Sequence, residues 1–310
     1  MFKPKMLRKG DTIGLVAPAS DSSKEKVDKS IEYLKSQGFK VKVSDSCYSK
    51  KGYLAGDDEL RAKNINDMFK DKDVDAIFCI RGGYGVHRIL EKIDYDLIKE
   101  NPKIFMGYSD ITALHIAINN RANLITFHGP MTVSDMRDGL DSFSLQSFKE
   151  VLMTSENTLE INNPEGEKIK SIVKGIAEGE LIGGNLALIS GTIGTPYEID
   201  TEDKILFIED IGEYTFRIDR MLMQLKLAGK LDSVRGIVLG DFNNCVQEDK
   251  EDQSLMEVFE DILIPLRVPI IYNLKSGHCT PNITLPFGSK VEVNGDEGRL
   301  IIKERVTIDG

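Results

Sequence analysis

The sequence predicts an α/β protein with two domains. Three observations carry this: short apolar runs alternate with helical patterns, the composition changes near residue 155, and the second half has its own strand and helix rhythm. The expected layout is an N-terminal parallel-sheet α/β domain over residues 1–154 and a linker over 155–170. A C-terminal mixed α/β domain, rich in strands, follows over 171–310. A chain of 310 residues with 41% hydrophobic content is long enough for two ordinary cores.

In chain order, Thr12–Pro18 reads as a buried strand. Ser20, Asp21 and Ser22 then open a helix over Lys24–Gln37 that stops at Gly38. Lys40–Ser44 alternates as a second strand, and Asp57–Phe69 is helical. Ala76–Ile80 is a buried strand that meets a glycine-rich turn, Arg81-Gly-Gly-Tyr-Gly85, before helix over Val86–Leu90. Ile104–Met106 is the next strand; it breaks at Gly107 and enters a helix near Ile111. Leu124–Phe127 completes the parallel set. Glu156–Lys168, rich in Asn and poor in large apolar groups, reads as the linker.

In the second half, Gly183–Ser190 reads as a helix entered from a tight turn, and Ile205–Ile208 as a strand ending in Glu209-Asp210. Ile218, Met221, Leu222, Leu225 and Ala228 line one face of a helix. Val234–Leu239 and Pro269–Asn273 are strands on either side of a helix over Leu255–Leu263. Thr284–Lys303 carries two alternating runs around Asn294-Gly295, a hairpin signal.

Charge and cysteine usage exclude several function classes. A net charge of −10, from 40 basic and 50 acidic residues, argues against nucleic acid or an anionic membrane as partner. The basic start is followed by no apolar stretch of signal-peptide or membrane-spanning length, so cytoplasmic residence is the expectation. Cys47, Cys79, Cys245 and Cys279 form neither a disulfide framework nor a zinc motif. His87, His115, His128 and His278 have no ligand spacing, so no metal and no cofactor are expected.

Three strand-end residues could carry chemistry. Ser109 stands where a strand turns sharply into a helix, the geometry of a nucleophile elbow; the alternative is that Ser109 or Asp110 is an N-cap. His278 lies in Ser276-Gly-His278, in a bend set by Gly277 and Pro281 after a strand. Glu209 could hold the Nδ1–H of an imidazole, or belong to a solvated acidic turn. The glycine turn is neither a phosphate-binding loop nor a dinucleotide fingerprint. Backbone N–H groups of Gly83 and Asp110 could form an oxyanion hole; otherwise the segment is a tight turn and nothing more. Cys79 lies in an apolar strand and Cys279 points away from its neighbour His278, so both are discounted as nucleophiles. Arg217 and Arg220 lie off the apolar face of their helix, available for substrate carboxylates or surface ion pairs.

Together the motifs resemble the LD-carboxypeptidase family of serine peptidases. The carriers are Gly10–Ser20, Arg81–Gly85, Gly107–Asp110, Ile208–Asp210, Arg217–Leu222 and Ser276–His278, in the family's order. The resemblance implies Ser109 as nucleophile, His278 as general base, Glu209 as its orienting acid, and Gly83 and Asp110 as oxyanion donors. It implies an active site formed by both domains, a murein tetrapeptide as substrate in cell-wall recycling, and often a homodimer. A second branch confers microcin immunity by cleaving peptidyl-nucleotides and stacks the base on tryptophan, which this chain lacks. A non-catalytic two-domain ligand-binding protein is the alternative from another class.

Overall fold

The computed structural model of the chain describes residues 1–309, which divide into two compact units. The first comprises Met1–Ser155, Ile283–Gly288 and the tail from Val306; the second comprises Glu156–Asn282 and Ser289–Arg305.

The first unit alternates β1 (Thr12–Val16), α1 (Lys24–Ser36), β2 (Lys40–Val43), α2 (Asp58–Lys70) and β3 (Ala76–Cys79). It continues with α3 (Tyr95–Glu100), β4 (Ile104–Gly107), α4 (Thr112–Ala122), β5 (Thr126–His128) and α5 (Ser142–Leu152). Four of these five helices begin where a short polar side chain satisfies a first-turn N–H: Ser23 for α1, Asp57 for α2, Asp94 for α3 and Asp141 for α5. The segment after the glycine turn, Val86–Lys92, winds as a 3-10 helix.

The second unit opens with β6 (Leu159–Ile161), β7 (Lys170–Val173), β8 (Ile176–Asn185), α6 (Leu186–Gly191) and β9 (Ile205–Ile211). α7 (Thr215–Leu227), β10 (Gly236–Asn243), α8 (Leu255–Leu263) and β11 (Ile270–Tyr272) follow. The chain then returns to the first unit for β12 (Leu285–Phe287), and closes the second with β13 (Lys290–Asn294) and β14 (Arg299–Ile302).

The first sheet runs β12-β5-β4-β3-β1-β2, parallel except for β12. All four residues of β3 and of β4 are buried, as a sheet covered on both faces requires. Connectivity reverses at β1, which has β2 on one side and β3 on the other. In open parallel sheets the ligand crevice lies outside the carboxyl ends of the strands at such a reversal. Pro18 and Ser20 follow β1 there, and Arg81–Gly85 follows β3.

The second sheet runs β6-β14-β13-β8-β9-β10-β11-β7. Its centre, β8 to β11, is parallel; the flanking strands pair antiparallel.

Four sequence expectations change. Gly183 and Gly184 lie within β8, not at a turn into a helix: a Cβ on Gly183 would sit 1.8 Å from the Phe207 carbonyl oxygen, so glycine here serves close strand packing. β9 extends past the expected Ile208 to Ile211, so Glu209 and Asp210 belong to its C-terminal end. The stretch read as a linker contains β6, which pairs with β14. Residues 285–287 leave the expected hairpin and pair with β5, because their apolar side chains complete the first sheet's edge.

Candidate active site

Ser109 stands between β4 and α4 with φ at 64°, in the left-handed region. A serine held there costs roughly 1–2 kcal/mol relative to ordinary backbone, so the turn is fixed by its surroundings. Two neighbours fix it. A Cβ on Gly82 would lie 2.8 Å from Ser109 Cβ and 2.9 Å from its Oγ, so only a glycine leaves room for the serine. Behind the turn, buried His115 donates from Nε2 to the Gly107 carbonyl at 2.8 Å. Burial pushes its imidazole down to about 4, which keeps it neutral and able to hold that role near neutral pH. His115 packs edge-on against Phe105 and Phe287, and is a structural brace within the core.

Asp110, directly after the serine, is buried, and its Oδ2 accepts the Val86 N–H at 2.9 Å. Gly83, with φ at 117°, lies against the Ser20 side chain, whose Oγ accepts the N–H of Tyr84 at 3.1 Å. The glycine turn is therefore tied both to the residue after Ser109 and to the turn after β1.

Burial pushes the Asp110 carboxyl up to about 6 from an ordinary 3.8, against the opposing Val86 N–H and Arg61 charge. A carboxyl with a raised folded-state pKa binds its proton more readily in the folded chain. Its contribution to stability is present at acid pH and is lost as pH rises from about 4 to about 6. Asp110→Asn keeps an acceptor for Val86 and should remove up to about 3 kcal/mol of that pH dependence. Urea melts of variant and wild type at pH 4 and pH 7 measure it. Because Asp210 is pushed up to about 6 by its own burial, the difference between the two proteins is the quantity to read. Identical pH dependence in both would refute the account.

In the second unit, the His278 Nδ1 lies 2.7 Å from Glu209 Oε2. Glu209 is fully buried at the C-terminal end of β9, level with Asn185 on β8. Its other oxygen, Oε1, meets no hydrogen-bond donor within the described residues. The imidazole is held from its backbone. Gly277 donates its N–H to Asn282 Oδ1 at 3.1 Å, and Asn243 donates to the His278 carbonyl at 2.6 Å. Gly277 has φ at 117°, and a Cβ there would lie 2.6 Å from Glu209 Oε2. A fully buried carboxylate on Nδ1 sets the imidazole's tautomer and stabilises its protonated form, the arrangement a general base needs.

Asp210 turns away from this pair, accepting from Asn185 Nδ2 and the Ala187 and Ile211 N–H groups. Cys79 is fully buried, which raises its thiol well above the usual range and removes it as a nucleophile. The Arg217 and Arg220 guanidinium groups lie over exposed Phe216, and Arg217 also reaches Glu213 at 3.4 Å. Among the described residues no group of His, Cys, Asp and Glu has metal-binding spacing. Sequence reasoning missed Gly82, Gly277's contact with the carboxylate, His115 as brace and Arg61. Only the Gly-Gly pair in Arg81–Gly85 hinted at the first.

Comparison with known proteins agrees in both units. Residues 13–129 match the family model "LD-carboxypeptidase N-terminal domain" and 178–293 match "LD-carboxypeptidase C-terminal domain". The "Probable murein peptide carboxypeptidase" of Bacillus subtilis (strain 168) is 44% identical over 308 residues, covering 99% of this chain and 96% of its own. The "Microcin C7 self-immunity protein MccF" of Escherichia coli is 31% identical over 328 residues, covering 96% and 94%. Among solved structures, MccF in complex with glutamyl sulfamoyl guanosine superposes with a TM-score of 0.93 at 26% identity, covering 99% of this chain and 100% of that one. Muramoyltetrapeptide carboxypeptidase from Oxalobacter formigenes gives 0.84 at 28% identity, covering 96% and 100%. With both halves matched in order and relatives aligned over nearly the whole length, the chain belongs to the LD-carboxypeptidase family.

Proposed function

We propose that the protein is a serine LD-carboxypeptidase that removes the terminal D-alanine from murein tetrapeptides. The observation that carries the reading is the 2.7 Å contact between His278 Nδ1 and fully buried Glu209. In this mechanism Ser109 Oγ attacks the carbonyl between the L-centre of the diamino acid and D-alanine. His278 takes the serine proton and delivers it to the leaving amine, and Glu209 stabilises the imidazolium. Backbone N–H groups of Gly83 and Asp110 take the negative charge on the tetrahedral oxygen. Water then attacks the acyl-enzyme, with His278 again as base, and frees the tripeptide.

The likeness to MccF favours a second reading, cleavage of aminoacyl- or peptidyl-nucleotides. The higher identity to the murein relative, 44% against 31%, and the lack of tryptophan in the chain favour the first. Incubation with a murein tetrapeptide and, separately, an aminoacyl-adenylate, each with and without chelator, decides by mass spectrometry. Tripeptide and D-alanine, formed equally with chelator, are the expected products. Cleavage of the adenylate alone would replace this reading by the second.

The resemblance also supports a cytoplasmic role in murein recycling and a homodimer; sedimentation at a single mass of one chain would exclude the dimer.

A substitution at the imidazole's hinge gives a further expectation. Gly277→Ala places a methyl group against Glu209 and strains a left-handed residue, which costs roughly 1–3 kcal/mol. D-alanine release should fall by roughly a hundredfold, since displacing a catalytic group by about 1 Å costs that much. Wild-type turnover and melting temperature in this variant would show that the bend does not hold the base.

A further inference from the structure

Arg61 is a cation with no exposed surface, in the first turn of α2. Its Nη1 donates to two carbonyls, those of Pro18 and of Gly85, the latter at 2.9 Å. Nη2 reaches Asp58 Oδ1 at 2.5 Å, and Asp58 in turn holds Arg88 at 2.8 Å. Pro18 follows β1 and Gly85 follows β3, so one guanidinium spans the two turns at the point where the sheet's connectivity reverses.

Other bonds converge on the same segment. Ser20 donates its N–H to the Gly82 carbonyl at 3.4 Å and accepts from Tyr84 through Oγ, while Asp110 accepts from Val86. Backbone groups of Gly82, Tyr84, Gly85 and Val86 are thus all held, with Gly83 between them. The wall formed by Gly82 is also the one that touches Ser109.

Stability alone does not explain the arginine. Taking a guanidinium out of water costs several kcal/mol, which its bonds to two carbonyls and to Asp58 must first offset. Its Nε finds no acceptor within the described residues, so the site is not even fully satisfied. What arginine supplies, and methionine or lysine does not, is a rigid planar fork able to grip two carbonyls in fixed relation while paired to a carboxylate.

We propose that Arg61 is a positioning residue for catalysis, setting the glycine turn and its N–H donors relative to Ser109. The inference rests on the reading of Ser109 as nucleophile and acts through the Pro18 and Gly85 carbonyls, without contact to substrate.

The test uses the full chain, a murein tetrapeptide and steady-state release of D-alanine, with melting temperature measured alongside. Arg61→Met should fold with a lowered melting temperature, because the Pro18 and Gly85 carbonyls lose their donor, and lose roughly thirtyfold to a hundredfold in kcat with KM within about twofold. Arg61→Lys, which keeps the charge but not the fork, should fall between. Combined with Ser20→Ala, the loss should be smaller than the product of the two single losses, because both act on one turn. A folded Arg61→Met enzyme with wild-type kcat, a change in KM alone, or multiplicative losses would each overturn the proposal. If Arg61→Met fails to fold, Arg61→Lys decides: reduced kcat at unchanged KM supports it, and wild-type kcat overturns it. Wild-type protein and Ser109→Ala, run in parallel, separate the two levels. Absence of any release by wild type, or undiminished release by Ser109→Ala, sinks the functional reading and this inference with it. Normal wild-type release with unaffected Arg61 variants sinks the inference alone.

Discussion

Ser109→Ala will stop release of D-alanine from the tetrapeptide, with kcat reduced by roughly ten-thousand-fold or more while KM changes little. The size follows from the chemistry: without Oγ there is no acyl-enzyme, and only the oxyanion donors and binding remain to assist direct attack by water. Fold stability should be almost unchanged, because alanine keeps the same Cβ against Gly82 and the same left-handed backbone at φ 64°. Ser109→Gly offers a cross-check. It is equally inactive, but should be more stable than the alanine variant by roughly 1 kcal/mol, since glycine adopts that backbone without strain. Release by Ser109→Ala at more than a hundredth of the wild-type rate would remove Ser109 from the mechanism. An alanine variant as stable as the glycine one would mean that the turn stores no strain.

Glu209→Gln is the second large effect, with kcat expected to fall by roughly ten-thousand-fold and binding retained. The carboxylate accepts from His278 Nδ1 at 2.7 Å, which leaves Nε2 as the basic nitrogen. A glutamine of the same shape also offers an N–H to Nδ1, and the ring then carries its proton on Nε2, where it cannot receive one from serine. The imidazolium formed after proton transfer also loses its buried counter-charge. The melting temperature should hold or rise, because a fully buried charge, one oxygen of which has no donor among the described residues, is replaced by a neutral amide. Turnover in Glu209→Gln within tenfold of wild type would make the carboxylate a bystander.

Much of the architecture is legible in the sequence. Ala76–Cys79 and Ile104–Gly107 are short apolar runs that lead into glycine-containing turns, the pattern of a strand covered on both faces. Ser109 was conspicuous for a local reason: a strand that breaks at glycine and enters a helix leaves the intervening residue at a sharp turn. The glycine pair before Tyr84 announced a close backbone approach, but not to what. That Gly82 faces Ser109 depends on β3 and β4 being neighbours, a contact between residues 27 positions apart that no local pattern encodes.

Elsewhere a local reading misled. Gly183-Gly184 has the composition of a turn, yet runs inside β8 because the Phe207 carbonyl leaves no space for a side chain. Glu209 and Asp210 left two readings open, a strand-end carboxylate for an imidazole or a solvated acidic turn, and both side chains are buried within β9. Their different fates, one facing His278 and the other capping the start of α6 through the Ala187 N–H, follow from the alternation of side chains along a strand. Arg61 carries no local signal, since an arginine in a helix is ordinarily solvated, and its two carbonyl partners come from turns 43 and 24 residues away.

The amino-acid order by itself determined the alternation of strand and helix, the sharp turn at Ser109 and the bend before His278, because periodicity, glycine and proline act over a few residues. Which side chains meet was decided by tertiary structure alone: the carboxylate that pairs with His278, the glycine that makes room for Ser109, and the buried guanidinium between two turns. Strand order and register bring these distant residues together, and both arise from packing that a short stretch of chain does not contain.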